Sequence, residues 1–318
     1  MKVCFIVQTF DKRDRGGVLR VVAQLSNFFI NHHDVTIMSC GNVETLAYDI
    51  DYRINIISLG MISYNTGFYK SFRKLNWFNE TYSKIQPFLK DDVIWITSSP
   101  PLSLLFSVLK LKNSNIKVIG CDHTSTVYRK NFFIQKFRNK LLSKLDVMVG
   151  LNHQDVEYYK KNGIKSVWIP NGIDLQEKYS EKSERKYLIY VGRFNEEKQP
   201  FHAINLFVNS ILPSQGVKMK MFGHGEYEKE VADYILKNNY QDMIEIVKGE
   251  TDPDVIYKDA YALILTSKLE GFPLVLLEAI SRNIPCLSFK IPYGPINIIK
   301  NEMPRFLSPP ILKIKYIK

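Results

Sequence analysis

The chain has 318 residues, of which 45% are hydrophobic and 24% charged, and carries a formal net charge of +11. That length exceeds one ordinary core and fits two, and the balance is that of globular domains, which excludes collagenous, low-complexity and charge-dominated disordered classes. No apolar run approaches the roughly 18 residues of a membrane span, and the positive excess asks for an anionic partner without choosing among phosphate substrate, acidic lipid and nucleic acid.

The first apolar run, Val3–Val7, passes directly into Gln8, Thr9 and the charged segment Asp11–Arg15. It is too short for a signal peptide, so a cytosolic protein is expected. Gly16-Gly17 then opens a helical pattern through Arg20 and Val21. Such a pair lets the backbone approach a phosphate closely, although many strand-to-helix turns need glycine and the full G-x-G-x-x-G spacing is missing. The runs Val35–Ser39, Asn55–Leu59, Val93–Thr97, Lys117–Cys121 and Val147–Gly150 alternate with helical patterns. Continuous apolar strands separated by helices predict parallel βαβ units. Asn152–Asn162 reads as a helix capped at Asn152 and closed by Gly163, and the short strand Ser166–Ile169 follows.

Pro170-Asn171-Gly172 breaks regular structure and the loose, charged stretch Gln176–Lys186 follows it. The pattern then restarts with strands Tyr187–Val191, Val217–Phe222, Ile244–Val247, Ala262–Thr266 and Cys286–Phe289. The expectation is an α/β protein of two doubly wound, Rossmann-like domains, 1–170 and 171–318, with strand C-termini facing a shared cleft.

The strongest chemical signal is the run Glu270-Gly271-Phe272-Pro273-Leu274-Val275-Leu276-Leu277-Glu278-Ala279, directly after a strand. Pro273 suits a first helical position, so the amides of Leu274 and Val275 would form an anion site fit for a diphosphate. Glu270 before the helix and Glu278 within it can reach different hydroxyl-bearing parts of one ligand. The plain alternative is an acidic helix start with a solvated Glu.

The second signal, Gly192-Arg193-Phe194-Asn195-Glu196-Glu197-Lys198-Gln199, also lies between a strand and a helix. Arg193 offers a planar fork of donors and Lys198 a mobile point charge, a pair able to hold a diphosphate, against the alternative of a solvated loop. Gly223-His224-Gly225 closes another strand as a tight turn. His123 stands just past Lys117–Cys121, at the edge where a doubly wound sheet presents ligands, and a lone His there is as readily structural as functional.

Asp252-Pro253-Asp254 and Asp49-Ile50-Asp51 spell the DxD of metal-dependent sugar transferases, but Asp252 before Pro253 reads as a helix cap. No metal is expected. Cys4, Cys40, Cys121 and Cys286 are far apart in apolar runs without CxxC spacing, so buried free thiols are expected. Arg129–Lys144 has six basic residues, no acidic one, and Phe133, Phe137 and Leu141 on one helical face, while Phe68–Phe78 adds Lys70, Arg73, Lys74 and Trp77. The pattern fits either a peripheral helix on an anionic membrane or a helix packed on the sheet with a solvated basic edge.

Together these motifs resemble glycosyltransferase family 4, the retaining GT-B enzymes that build bacterial surface glycans. The resemblance rests on Gly16-Gly17, Pro170-Asn171-Gly172-Ile173-Asp174, Gly192-Arg193 with Glu197-Lys198, Gly223-His224-Gly225 and the span Glu270 to Glu278, in this order along nearly the whole chain. It implies that Arg193 and Lys198 bind the diphosphate of a nucleotide sugar, uridine-linked by expectation, with Gly17 and the amides after Pro273 assisting. Glu278 would hold the ribose, Glu270 the hydroxyls of the transferred sugar, and His123 would lie near that sugar; Gly16 and Gly223 belong to the same donor site. The implied reaction retains configuration, uses no metal or other cofactor, and extends a lipid-linked glycan, lipopolysaccharide or capsule intermediate at the cytoplasmic face of the membrane. The pattern departs at its end, where Met303–Lys318 holds Pro304, Pro309 and Pro310 and no helical period, so a shortened second domain is expected.

Other readings of the same residues are an epimerase or phosphorylase acting on phosphate-bearing ligands, and an inactive homologue that survives as a binding module. Nucleic-acid binding rests on charge alone, with no accompanying motif, and no nucleic-acid partner is expected.

Overall fold

Runs of β-branched and large apolar residues become strands covered on both faces, as Val3–Val7 and Leu188–Tyr190 do in the computed structural model of the protein. It describes residues 1–61, 73–123, 132–173, 185–299 and 315–317. The chain divides into two compact units, Met1–Asn171 and Gly172–Lys318.

In the first unit, strands β1 (Lys2–Val7), β2 (Asp34–Gly41), β3 (Asn55–Met61), β4 (Val93–Thr97), β5 (Lys117–Cys121), β6 (Val147–Gly150) and β7 (Ser166–Trp168) form one sheet in the order β3-β2-β1-β4-β5-β6-β7. Every pair is parallel. Helices α1 (Gly17–Phe29), α2 (Arg73–Ile85), α3 (Pro100–Lys112), α4 (Phe132–Leu142) and α5 (His153–Lys161) make the crossovers. One face packs Phe5, Phe10, Val22 and Ile37, and the other packs Trp95, Phe106, Leu142 and Tyr159. Each such fully buried side chain contributes about 1.5–3 kcal/mol of transfer free energy. Helix α5 starts and stops as its residues dictate: the Asn152 side chain accepts from the Asp155 amide at 2.8 Å, and Gly163 takes a φ of +70° just past the end.

The second unit repeats the plan. Strands β8 (Tyr187–Val191), β9 (Lys218–Phe222), β10 (Ile244–Val247), β11 (Ala260–Leu265), β12 (Cys286–Phe289) and β13 (Lys315–Ile317) lie in the order β10-β9-β8-β11-β12-β13, all parallel. Helices α6 (Pro200–Val208), α7 (Glu228–Lys237), α8 (Pro253–Ile256), α9 (Leu274–Ser281) and α10 (Pro295–Ile298) connect the strands that precede β13. In both sheets the order reverses beside the first strand, next to β4 in one and β11 in the other, which is where doubly wound sheets bind ligands beyond their strand C-termini.

Several expectations change. β13 pairs with β12 through Leu287, Ser288 and Phe289, although the sequence pattern marks no strand within Met303–Lys318. Trp77, grouped with the basic surface, is 7% exposed in the core of the first unit. Arg138 is also buried; its Nη2 donates to Asp122 Oδ2, which further accepts from the Tyr159 hydroxyl at 3.2 Å. Asp174, Arg129 and the Phe68–Phe72 part of the basic segment lie outside the described residues. The four cysteines are free, and burial pushes the thiols of Cys40, Cys121 and Cys286 up to about 12, so they pack as small apolar groups.

Candidate functional site

Strands β8 and β11 are neighbours, so the loops that leave their carboxyl ends lie side by side at the reversal point of the second sheet. The loop after β8 is held as a rigid shelf. Its Tyr190 hydroxyl stands 3.1 Å from the Arg193 carbonyl and 3.3 Å from that of Lys198. The Thr266 hydroxyl lies 3.1 and 3.0 Å from the carbonyls of Lys198 and Gln199, and Asn195 Oδ1 accepts from the Lys198 amide at 2.9 Å. These bonds support Gln199 in a left-handed conformation, φ 49°, just before Pro200 starts α6.

The glycines of the neighbouring turn have a packing reason. A Cβ on Gly223 would stand 2.0 Å from the Gly192 carbonyl oxygen, and one on Gly225 2.6 Å from that of Phe194. The Phe194 amide donates to the His224 carbonyl at 2.8 Å, and the Tyr227 amide to the Phe194 carbonyl at 2.9 Å. Gly223 therefore fits two loops together, whatever contact it makes with a ligand.

Out of this shelf Lys198 extends toward the loop after β11. Its Nζ lies 2.7 Å from Glu270 Oε1, and the Ser267 hydroxyl donates to the same oxygen at 2.7 Å. Gly294, at a φ of +76°, packs against this carboxylate's stem; a Cβ there would sit 2.7 Å from Glu270 Cβ. Arg193 is exposed and has no ion pair among the described residues. The site thus offers one guanidinium open to solvent and one ammonium shared with a carboxylate.

Pro273 is the residue before helix α9 and not its first position, so Leu274 and Val275 are the first two helical residues. The change is small, because amides at these positions have no intrahelical acceptor and still point out of the helix end. Glu278 lies on the same helix, 4% exposed, and its Oε2 accepts from the Tyr257 hydroxyl at 2.9 Å. Both DxD spellings are used by the fold. Asp252 caps α8 through the Asp254 amide, Asp254 pairs with Arg282 at 2.6 Å, and Asp51 pairs with Arg53 at 2.8 Å.

The first unit holds the remaining candidates. Gly16 precedes α1 in extended conformation, and a Cβ there would meet only the Asp14 carbonyl oxygen at 3.9 Å, so neither dihedral nor crowding among the described residues calls for glycine. Gly17 is the first residue of α1. His123 is partly buried two residues beyond β5, and burial pushes its imidazole down to about 4, against an opposing pull from Asp122. It is a neutral hydrogen-bonding group at ordinary pH. Tyr190, Thr266, Ser267 and Tyr257 are not singled out by the sequence; only Ser267 has a visible signal there, a serine three residues before a glutamate at a helix approach.

Residues 15–177 match the family model described as Glycosyltransferase Family 4, and residues 173–315 match that described as Glycosyl transferases group 1. The amylovoran biosynthesis glycosyltransferase AmsD of Erwinia amylovora is 26% identical over 300 residues, covering 90% of this chain and 81% of that protein. The GalNAc-alpha-(1->4)-GalNAc-alpha-(1->3)-diNAcBac-PP-undecaprenol alpha-1,4-N-acetyl-D-galactosaminyltransferase of Campylobacter jejuni is 22% identical over 314 residues, 95% of this chain and 83% of that protein. Among solved structures, a point mutant of S. aureus TarM in complex with Fondaparinux, alpha-GlcNAc-glycerol and UDP superposes with a TM-score of 0.75 over 94% of this chain and 87% of that one, at 14% identity. That likeness establishes the GT-B fold.

Proposed function

The chain belongs to glycosyltransferase family 4, and from that premise we propose that it moves a hexosyl unit from a UDP-sugar to a lipid-linked glycan, lipopolysaccharide or capsule intermediate, with retention and without a metal. The observation that carries this reading is the meeting of the Arg193–Lys198 loop with the Glu270–Glu278 segment at the β8/β11 reversal point, joined by the Lys198–Glu270 contact at 2.7 Å. Arg193, Lys198 and the amides of Leu274 and Val275 hold the diphosphate, and Glu278 takes the ribose hydroxyls. Glu270 takes hydroxyls of the transferred sugar. In the first unit, the backbone at Gly16 and Gly17 is suited to approach a phosphate, and neutral His123 is suited to bond a sugar hydroxyl.

In this mechanism the anomeric carbon–oxygen bond to phosphate breaks as the acceptor oxygen bonds on the same face, and the acceptor proton passes to the departing phosphate oxygen. Arg193, Lys198 and the helix amides stabilise the charge that develops on that leaving group. The UDP bound by TarM and the PP-undecaprenol-linked substrate of the Campylobacter enzyme support this donor and acceptor class.

The acceptor brings the protein to the cytoplasmic face of an anionic membrane, as a peripheral partner. Helix α4 supports this. Phe133, Ile134 and Phe137 are 80%, 63% and 65% exposed, beside exposed Lys136 and Lys140, the make-up of an interfacial helix. Among the described residues no helix is long and apolar enough to cross a membrane. The test is turnover of UDP-hexoses with membrane lipid extract as acceptor, the product's anomeric proton read by NMR. Retained configuration is expected, and inversion sinks the mechanism.

A further inference from the structure

A buried carboxylate is costly unless hydrogen bonds replace its water, and a glutamate on a helix has several rotatable bonds to fix before it can read a ligand. One neighbour of Glu278 serves both needs. The Tyr257 hydroxyl lies 2.9 Å from Glu278 Oε2 and 3.1 Å from the Val275 carbonyl oxygen. A hydroxyl has one proton to give. Helix geometry already supplies the Val275 carbonyl with the amide four residues on, and a carboxylate is the stronger acceptor, so the proton belongs to Glu278.

Tyr257 is itself fixed. It follows α8 directly, is 4% exposed, and packs with Ile256, Leu276 and Ala279 in one cluster. The Arg282 guanidinium stands 5.4 Å from its ring centre and is tied in turn to Asp254 at 2.6 Å, across from α9 to α8. The phenol is therefore held in the core by neighbours that do not depend on its hydroxyl.

We infer that Tyr257 is the positioning residue for Glu278: its hydroxyl sets the carboxylate in the orientation that reads the ribose hydroxyls of the donor. The inference rests on the assignment of Glu278 to the ribose made above, and Tyr257 acts only through Glu278.

The experiment compares wild type, Tyr257→Phe and Glu278→Gln by calorimetric titration with UDP, GDP and ADP, each against its 2′-deoxy counterpart, alongside thermal melting by circular dichroism. The ratio of the two affinities isolates the 2′-hydroxyl contact from binding of base and diphosphate. Wild type should prefer the ribonucleotide by about tenfold, the worth of a hydrogen bond to a charged group. Glu278→Gln should abolish the preference, and Tyr257→Phe should take most of it while leaving the deoxynucleotide affinity and the melting temperature nearly unchanged. In turnover, Tyr257→Phe should raise the donor KM more than it lowers kcat. Loss of preference in Glu278→Gln with full preference in Tyr257→Phe overturns the inference. So does an equal weakening of both nucleotides with a lowered melting temperature, which marks Tyr257 as structural only. If no nucleoside diphosphate binds wild type, or Glu278→Gln keeps the wild-type ratio, the ribose assignment itself fails and takes this inference with it.

Discussion

Lys198 and Glu270 come from loops after two adjacent strands and meet at 2.7 Å, with side chains 21% and 10% exposed. Each is the other's counter-ion, so neither can be altered alone without leaving a partly buried charge unpaired. Lys198→Met should therefore lower kcat/KM by about 3–4 kcal/mol, more than removal of an exposed cation. Steady-state kinetics on the folded variant check this, and a loss below fivefold would put the ammonium outside the reaction.

Arg193 is exposed, so its replacement should not disturb the fold. Arg193→Ala and Glu278→Gln should each weaken donor use by about 2–4 kcal/mol, through lost charge-assisted contacts. Circular dichroism controls for folding, and near-normal turnover in both variants would remove this site from consideration.

Asp252 accepts the Asp254 amide at 2.9 Å as the cap of α8. Asp252→Ala should cost about 1 kcal/mol of stability and leave kcat intact. Turnover should also survive chelation, because the proposed mechanism gives the charge of the leaving diphosphate to Arg193, Lys198 and helix amides. Strict dependence on added magnesium or manganese would contradict the metal-free mechanism.

The folded pKa of His123 is about 4 against an ordinary 6.5, so between those values the unfolded chain binds the extra proton. Stability is therefore gained as pH rises through this window and lost as pH falls through it. Melting temperature measured from pH 7 to pH 4.5 should drop less for His123→Gln than for wild type. Parallel curves would mean that the imidazole titrates normally.

Binding to vesicles should need anionic lipid and fall with salt. Phe133→Ser with Phe137→Ser, or Lys136→Gln with Lys140→Gln, should reduce co-sedimentation several-fold while nucleotide binding persists. Arg138→Gln belongs to another class: it takes the guanidinium away from buried Asp122 and should cost about 3–5 kcal/mol of stability. Equal binding to neutral vesicles, or none to either kind, would leave α4 a surface helix only.

Strands such as Val3–Val7 and Tyr187–Val191 were legible because a doubly covered parallel strand is a short, continuous apolar run, and α5 was legible from Asn152 and Gly163. Arg193, Lys198 and Glu270 were visible for a similar reason, since they follow strands and precede helices. What stayed hidden was pairwise. A basic run does not say which side chain turns inward, and Arg138 does so because Asp122 waits beneath it. Tyr257 reads as one more aromatic near a strand until the fold brings it to Glu278. β13 is a three-residue strand with prolines before it and gains its identity only from the edge of β12.

The most direct test of the donor site is mass spectrometry of membrane lipid extract incubated with UDP-, GDP- and ADP-sugars and the protein. Wild type should add one hexosyl unit to a lipid-linked glycan and release an equal amount of nucleoside diphosphate, and both products should vanish together in Arg193→Ala and Glu278→Gln. Transfer undiminished in those variants, or no transfer from any of the three donor classes, would contradict the account.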